Sequence, residues 1–169
     1  MSLALPPKPR VISAKGKKLA IVASKYHEVY SDALVDHVID ELVDCLPQAR
    51  VDLIRVPGAF EIPVAVKALL KLEEPNCVIA LGVLIRGETA HADLVASSVT
   101  DALQQLALEY NTPVIHDVLL VEDEAQAHVR CLGEEMNRGI EAARAAAAMV
   151  EVFSELDRSG SLRMHPSNV

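Results

Sequence analysis

The chain has 169 residues, 51% of them hydrophobic, and a formal net charge of −8. That length suits one domain burying about 70% of its unfolded surface without disulfide staples, and the acidic balance disfavours a nucleic-acid footprint, which would need a clustered basic face. No apolar run reaches the roughly 18 residues of a membrane span, and Met1 to Arg10 has a basic flank and three prolines but no apolar core, so neither a membrane nor a secretory role is expected.

Residues 1–16 are polar and Pro-rich, and Pro6, Pro7 and Pro9 would interrupt a strand ladder there, so a loosely ordered segment or one docked on a neighbour is expected. Leu19 to Ala23 is a short β-type run ending at Ser24-Lys25-Tyr26-His27. Leu34, Val35, Val38, Ile39, Leu42, Val43 and Leu46 then recur with helical spacing, with Ser31 or Asp32 as the predicted cap and Pro47 as the stop. Val51 to Val56 reads as the second strand, followed by Pro57-Gly58-Ala59-Phe60-Glu61 and a helix to about Leu72 that tolerates Pro63 in its first turn.

Cys77 to Ile85 is an unbroken apolar run, the mark of a strand buried on both faces. It enters the polar turn Arg86-Gly87-Glu88-Thr89-Ala90-His91, and a helix begins near Ala92 with Leu94, Val95, Val99, Leu103 and Leu106 on one face, ending around Asn111-Thr112-Pro113. Val114 to Val121 is the fourth strand. Glu122-Asp123-Glu124 opens a helix through Arg130 and beyond, Asn137-Arg138-Gly139 punctuates it, and Ile140 to Phe153 is an Ala-rich helix. Strands alternating with helices predict right-handed βαβ units: a three-layer, flavodoxin-like α/β fold with a central four-stranded parallel sheet and helices on both faces. The expected organisation is an N-terminal segment over 1–16, one α/β domain over 17–156 and a polar tail over 157–169. Cys45, Cys77 and Cys131 lie far apart with no CxxC spacing, which predicts buried thiols in the cytoplasm and argues against zinc.

In such a sheet the loops after the strands gather at one edge, where ligands bind. The chain has three tyrosines, two phenylalanines and no tryptophan, and Tyr26 and Phe60 fall in those loops. Such rings either stack on a flat heterocycle or simply cover the sheet end, and the residues alone leave both open. Glu61 stands at a helix start, where the macrodipole favours an acid and where it could also accept hydrogen bonds from polyol hydroxyls. Arg86-Gly87-Glu88-Thr89 has the makings of a phosphate cradle at a helix N-terminus, though no nucleotide-binding glycine fingerprint is present. Arg130 is a candidate cation for that anion, offered to another subunit's site, or else a solvated helix residue. Among six histidines, His91 is the acid–base candidate, because it lies just before a helix at the ligand edge and imidazoles ordinarily titrate at about 6.5. No histidine pair has zinc spacing.

Val56-Pro57-Gly58-Ala59-Phe60-Glu61-Ile62-Pro63, Leu81 through His91, and Arg130 through Asn137-Arg138-Gly139, in that order and spacing, resemble the 6,7-dimethyl-8-ribityllumazine synthase family of riboflavin biosynthesis over about residues 17–153. The resemblance implies that Tyr26 stacks on the pyrimidine substrate, Ala59, Phe60 and Glu61 hold its ribityl chain, and Leu84 and Ile85 line the heterocycle pocket. It implies that Gly87, Glu88 (through its backbone) and Thr89 bind the phosphate of 3,4-dihydroxy-2-butanone 4-phosphate, with Arg130 of the adjoining subunit. His91 takes the proton-transfer position, and Arg138 and Glu141 those of a supporting base and acid. It further implies no metal or organic cofactor, small-molecule substrates, and a homopentamer that occurs singly, in pairs or as a 60-subunit shell. The chain departs from the pattern at Lys25-Tyr26-His27, at His116 (where a neighbour's site normally receives an aromatic ring), at Leu120-Val121, and at Glu134. His116 could still stack, bringing a titratable ring. The alternative readings are a flavin- or lumazine-binding shell protein with low or no turnover, and a flavodoxin-like regulatory module, which would need a clustered acidic phosphoacceptor pocket that the sequence lacks.

Overall fold

A computed structural model of the chain describes residues 5–12 and 14–159, the side chains of 158 and 159 excepted. Four strands, β1 (Lys18–Ser24), β2 (Arg50–Val56), β3 (Cys77–Ile85) and β4 (Val114–Val121), form one sheet in the order β2-β1-β3-β4, every neighbouring pair parallel. The helices are α1 (Glu28–Cys45), α2 (Ile62–Leu72), α3 (His91–Tyr110), α4 (Glu124–Cys131) and α5 (Arg138–Ser159), with a single 3₁₀ turn over Ala59–Glu61 before α2. This is the flavodoxin-like α/β layout that the alternation of elements predicts.

The pleat divides the core between the two faces of the sheet. Leu19, Ile21, Ala23, Ile79 and Leu81 point one way and pack with α1, α4 and α5, whereas Ala20, Val22, Val78 and Ala80 point the other way onto α2 and α3. Coverage of both faces is why β3 is apolar without interruption: its residues Cys77 to Val83 are all buried. The alanines of α5 let it approach closely, with Ala142, Ala143, Ala146 and Ala147 buried, and at Gly139 a Cβ would stand 2.8 Å from the Leu34 carbonyl oxygen of α1.

Several local expectations need correcting. Neither Ser31 nor Asp32 caps α1, which begins at Glu28 after His27, a residue in the left-handed region (φ 54°). The Ser31 hydroxyl instead donates to the Ser24 carbonyl, and Asp32 pairs with Arg55 at the end of β2. Leu94 lies on the solvent side of α3, 69% exposed, because the sheet takes only Ala92, Val95, Val99, Leu103 and Leu106. α4 stops at Cys131, and α5 starts at Arg138 rather than Ile140. Asn137 fixes that start, its side chain accepting from the Ile140 N–H at 3.1 Å and donating to the Cys131 and Gly133 carbonyls. α5 also continues past Phe153 to Ser159, while residues 160–169 of the predicted tail lie outside the described residues.

Residues 5–12 lie along α1 and α5 of their own chain. Lys8 pairs with Asp44 at 2.8 Å, Arg10 pairs with Glu151 at 2.6 Å, and the Ile12 N–H reaches the Cys45 carbonyl. Cys45, Cys77 and Cys131 are all buried, and burial pushes the thiols of Cys77 and Cys131 up to about 12, which leaves them inert as nucleophiles.

Candidate active site

The loops after β1, β2 and β3, together with the first turns of α3, enclose a cleft of about 860 Å³. The structure gathers Tyr26, Ala59, Phe60, Glu61, Leu84, Ile85 and His91 around it. Each is placed by its element. The Lys25 and Tyr26 N–H groups bond to the carbonyls of Val56 and Pro57, tying the β1 loop to the β2 loop. Glu61 Oε2 accepts from the Gly58 N–H at 2.9 Å and closes the 3₁₀ turn; a Cβ at Gly58 would stand 2.9 Å from that oxygen, so a side chain there would push the Glu61 carboxylate aside. Glu61 therefore has the local capping role open to it from its position, and its other oxygen stays free for a ligand hydroxyl.

Tyr26 is 71% and Phe60 62% exposed. Rings that open lose the apolar burial that would justify them as sheet-end covers, which favours a partner in the cleft. Leu84 and Ile85 leave the buried part of β3 and become half-buried at the cleft wall. His91 is the first residue of α3 and lines the cleft beside them. Sequence reasoning named His27 only as a departure from a family pattern, yet it also lines the cleft. The signal lay in its place: a histidine beside a site tyrosine at a turn.

Gly87, Glu88 and Thr89 are exposed in the turn immediately before α3, outside the cleft lining. No side chain caps α3, so its first N–H groups remain available to an anion. Arg86 does not serve as a free cation, since its guanidinium is held by Asp93 at 2.7 Å and by Glu122. The hydrogen bond and charge of Arg86 hold the Asp93 carboxyl below the usual carboxylate range. Arg86 thus braces the turn against α3 and the β4–α4 loop. Gly87 has open space where a Cβ would go and an ordinary φ, so the fold does not demand glycine there; a closely approaching ligand would. Gly87→Ala is accordingly expected to leave the thermal unfolding midpoint unchanged and to weaken binding of inorganic phosphate several-fold. Titration calorimetry showing unchanged phosphate affinity would count against the cradle.

His116, Arg130 and Arg138 do not line this cleft. His116 lies on the edge strand β4, paired in register with Ala80. Its Nε2 is 2.9 Å from the Thr100 hydroxyl of α3, and partial desolvation of the ring pushes its pKa below the ordinary histidine value. Arg130 is half-buried on α4 and makes no ion pair among the described residues. Arg138 opens α5 and is held by Asp117 at 3.1 Å and Glu141 at 2.6 Å. Asp117, which sequence reasoning did not select, is 1% exposed, and its Oδ2 has no hydrogen-bond partner. The site residues therefore fall into two groups, one around the cleft and one along β4, α4 and the start of α5.

The sequence model described as 6,7-dimethyl-8-ribityllumazine synthase matches residues 16–154. Similar proteins of that name include one from Aquifex aeolicus, 38% identical over 150 residues, covering 86% of this chain and 95% of the relative. Another, from Coxiella burnetii, is 38% identical over 83% of this chain and 93% of its own. A third, from Thermococcus onnurineus, is 39% identical over 83% of this chain and 91% of its own.

Proposed function

The chain belongs to the 6,7-dimethyl-8-ribityllumazine synthase family, and from that membership we propose how its two groups of residues carry out the reaction. The protein is a lumazine synthase, a transferase of riboflavin biosynthesis. It condenses 5-amino-6-ribitylaminouracil with 3,4-dihydroxy-2-butanone 4-phosphate. The primary amine attacks the ketone and water is lost, phosphate leaves, and the ribityl-bearing nitrogen closes the ring with loss of a second water.

The observation that carries the site assignment is the cleft itself, which puts two open rings, a free carboxylate oxygen and His91 around one space. Tyr26 stacks on the pyrimidine, Leu84 and Ile85 flank it, and Ala59, Phe60 and Glu61 receive the ribityl chain. The uncapped start of α3, with Gly87, Glu88 and Thr89, holds the phosphate end of the ketose. His91 moves the protons that imine formation and phosphate departure require. Holding both reactants in register supplies much of the acceleration, and the cradle stabilises the departing phosphate.

His116, Arg130 and Arg138 complete a site on a neighbouring copy, so the working unit is a homo-oligomer, with a pentamer as the basic ring. Their position away from the chain's own cleft supports this reading, as does the lack of an ion pair to Arg130 among the described residues. No described helix is long and apolar enough to cross a membrane; buried free thiols accord with a reducing cytoplasm. The catalytic domain spans residues 17–156 in this reading. Light scattering gives the assembly size. Mixing the purified protein with both substrates should produce the fluorescent lumazine well above the uncatalysed background. Riboflavin binding without product formation would overturn the enzyme assignment in favour of a flavin-binding shell.

A further inference from the structure

The row Ile115, Asp117, Leu119 and Val121 on β4 faces the α1, α4 and α5 side of the sheet, and only Asp117 in it is polar. Its register partner on β3 is Leu81, fully buried. A fold alone would place an apolar side chain here, since burying a carboxylate is costly unless it is paired and hydrogen-bonded. Asp117 Oδ1 accepts from Arg138 Nε at 3.1 Å and stands 3.1 Å from Nη2 of the same guanidinium, while Oδ2 has no hydrogen-bond partner among the described residues. Arg138 stands in the first turn of α5, where the helix macrodipole disfavours a cation. Asp117 from below and Glu141 from one side hold it there, and N–H groups of the fork remain over for a ligand.

We propose that Asp117 is a positioning residue for lumazine formation: its buried carboxylate fixes the Arg138 guanidinium that the β4 side presents to a neighbouring copy's substrates. The inference rests on the shared-site reading above. The charged and titratable groups around Asp117 are Arg138 and Glu141 on α5 and Arg130 and Cys131 on α4. Burial pushes the Asp117 carboxyl up to about 7, against the pull of Arg138. The clamp is therefore fully charged only above neutrality. The sign for stability is opposite. Between the ordinary carboxylate range and pH 7 the folded chain binds the Asp117 proton that the unfolded chain releases, so this group's contribution to stability declines as pH rises to about 7 and is level above it.

The test compares steady-state kinetics of wild type, Asp117→Asn, Arg138→Gln and the double variant across the neutral pH range. Asp117→Asn is expected to raise KM about tenfold, the scale of a misaligned charge-assisted hydrogen bond, and to lose a limb of the kcat/KM profile near pH 7. Its thermal midpoint should also lose the decline towards pH 7. The double variant should be no worse than Arg138→Gln, because Asp117 acts through that side chain. Wild-type KM and an unchanged pH profile in Asp117→Asn, or fully additive losses in the double variant, would overturn the proposal. If Asp117→Asn does not fold, Arg138→Lys decides. It keeps the charge but cannot be gripped at two nitrogens, so the same KM loss supports the clamp and wild-type KM refutes it. An inactive wild type defeats the underlying reading and the proposal with it, whereas an active wild type with an indifferent Asp117→Asn defeats the proposal alone.

Discussion

His91→Ala is expected to lower kcat about 10²–10⁴-fold, the usual contribution of a positioned general acid–base group, while KM for either substrate moves only a few-fold. The argument is positional. His91 is exposed, opens α3, and lines the cleft beside the turn proposed to hold the phosphate. Its side chain makes no hydrogen bond among the described residues, and alanine is the better helix former, so the variant should fold as well as the wild type. The α3 turn survives because the bond from the Leu94 N–H to the Ala90 carbonyl does not involve the imidazole. Steady-state kinetics at saturating substrate separate the outcomes. Normal turnover at saturation with weakened binding would contradict the proton-transfer role and direct attention to His27, the other histidine of the cleft.

The fold was legible where burial imposes a pattern. Cys77 to Ile85 reads as a buried strand because both faces are covered, and the structure gives β3 those same bounds. Local signals misled where tertiary contacts claimed the side chains. Ser31 and Asp32 look like caps for α1, but the Ser24 carbonyl and Arg55 take them, and His27 makes the turn through its backbone. Leu94 has the right period for the α3 core stripe but lies at its rim, beyond the reach of the sheet and within the cleft lining. The gathering of the strand-end loop residues around one cleft was legible, since topology sends those loops to one edge. Arg86 lies in the turn read as an anion cradle from its helix-start N–H groups and threonine hydroxyl, but its pairing with Asp93 and Glu122 depends on packing that the sequence does not display. Asp117 was missed for a related reason. A single acid in an apolar strand looks like a solvent-facing position, and only the packing of α5 shows that it is enclosed and paired.

The division of the site residues into two groups predicts that a pair of impaired variants will rescue each other. Arg130 makes no ion pair among the described residues and lies outside the cleft of its own chain. Arg130→Ala should therefore fold normally and raise KM for the ketose phosphate about 10–100-fold, in line with charge-assisted hydrogen bonds worth roughly 1.5–3 kcal/mol. In a ring whose sites use His91 from one copy and Arg130 from the next, His91→Ala and Arg130→Ala chains co-assembled in equal amounts place both wild-type residues together in about a quarter of the sites, a consequence of random mixing at a heterologous interface. Lumazine formation at limiting ketose phosphate should then recover to about that fraction of the wild-type rate. Separately assembled variants mixed without subunit exchange should show no recovery. If each chain instead supplied both residues to one site, every site in the mixed ring would carry one lesion and co-assembly would restore nothing. The experiment thus decides whether the β4 side of this chain works for its own cleft or for its neighbour's, because the two geometries predict different rates from the same pair of chains.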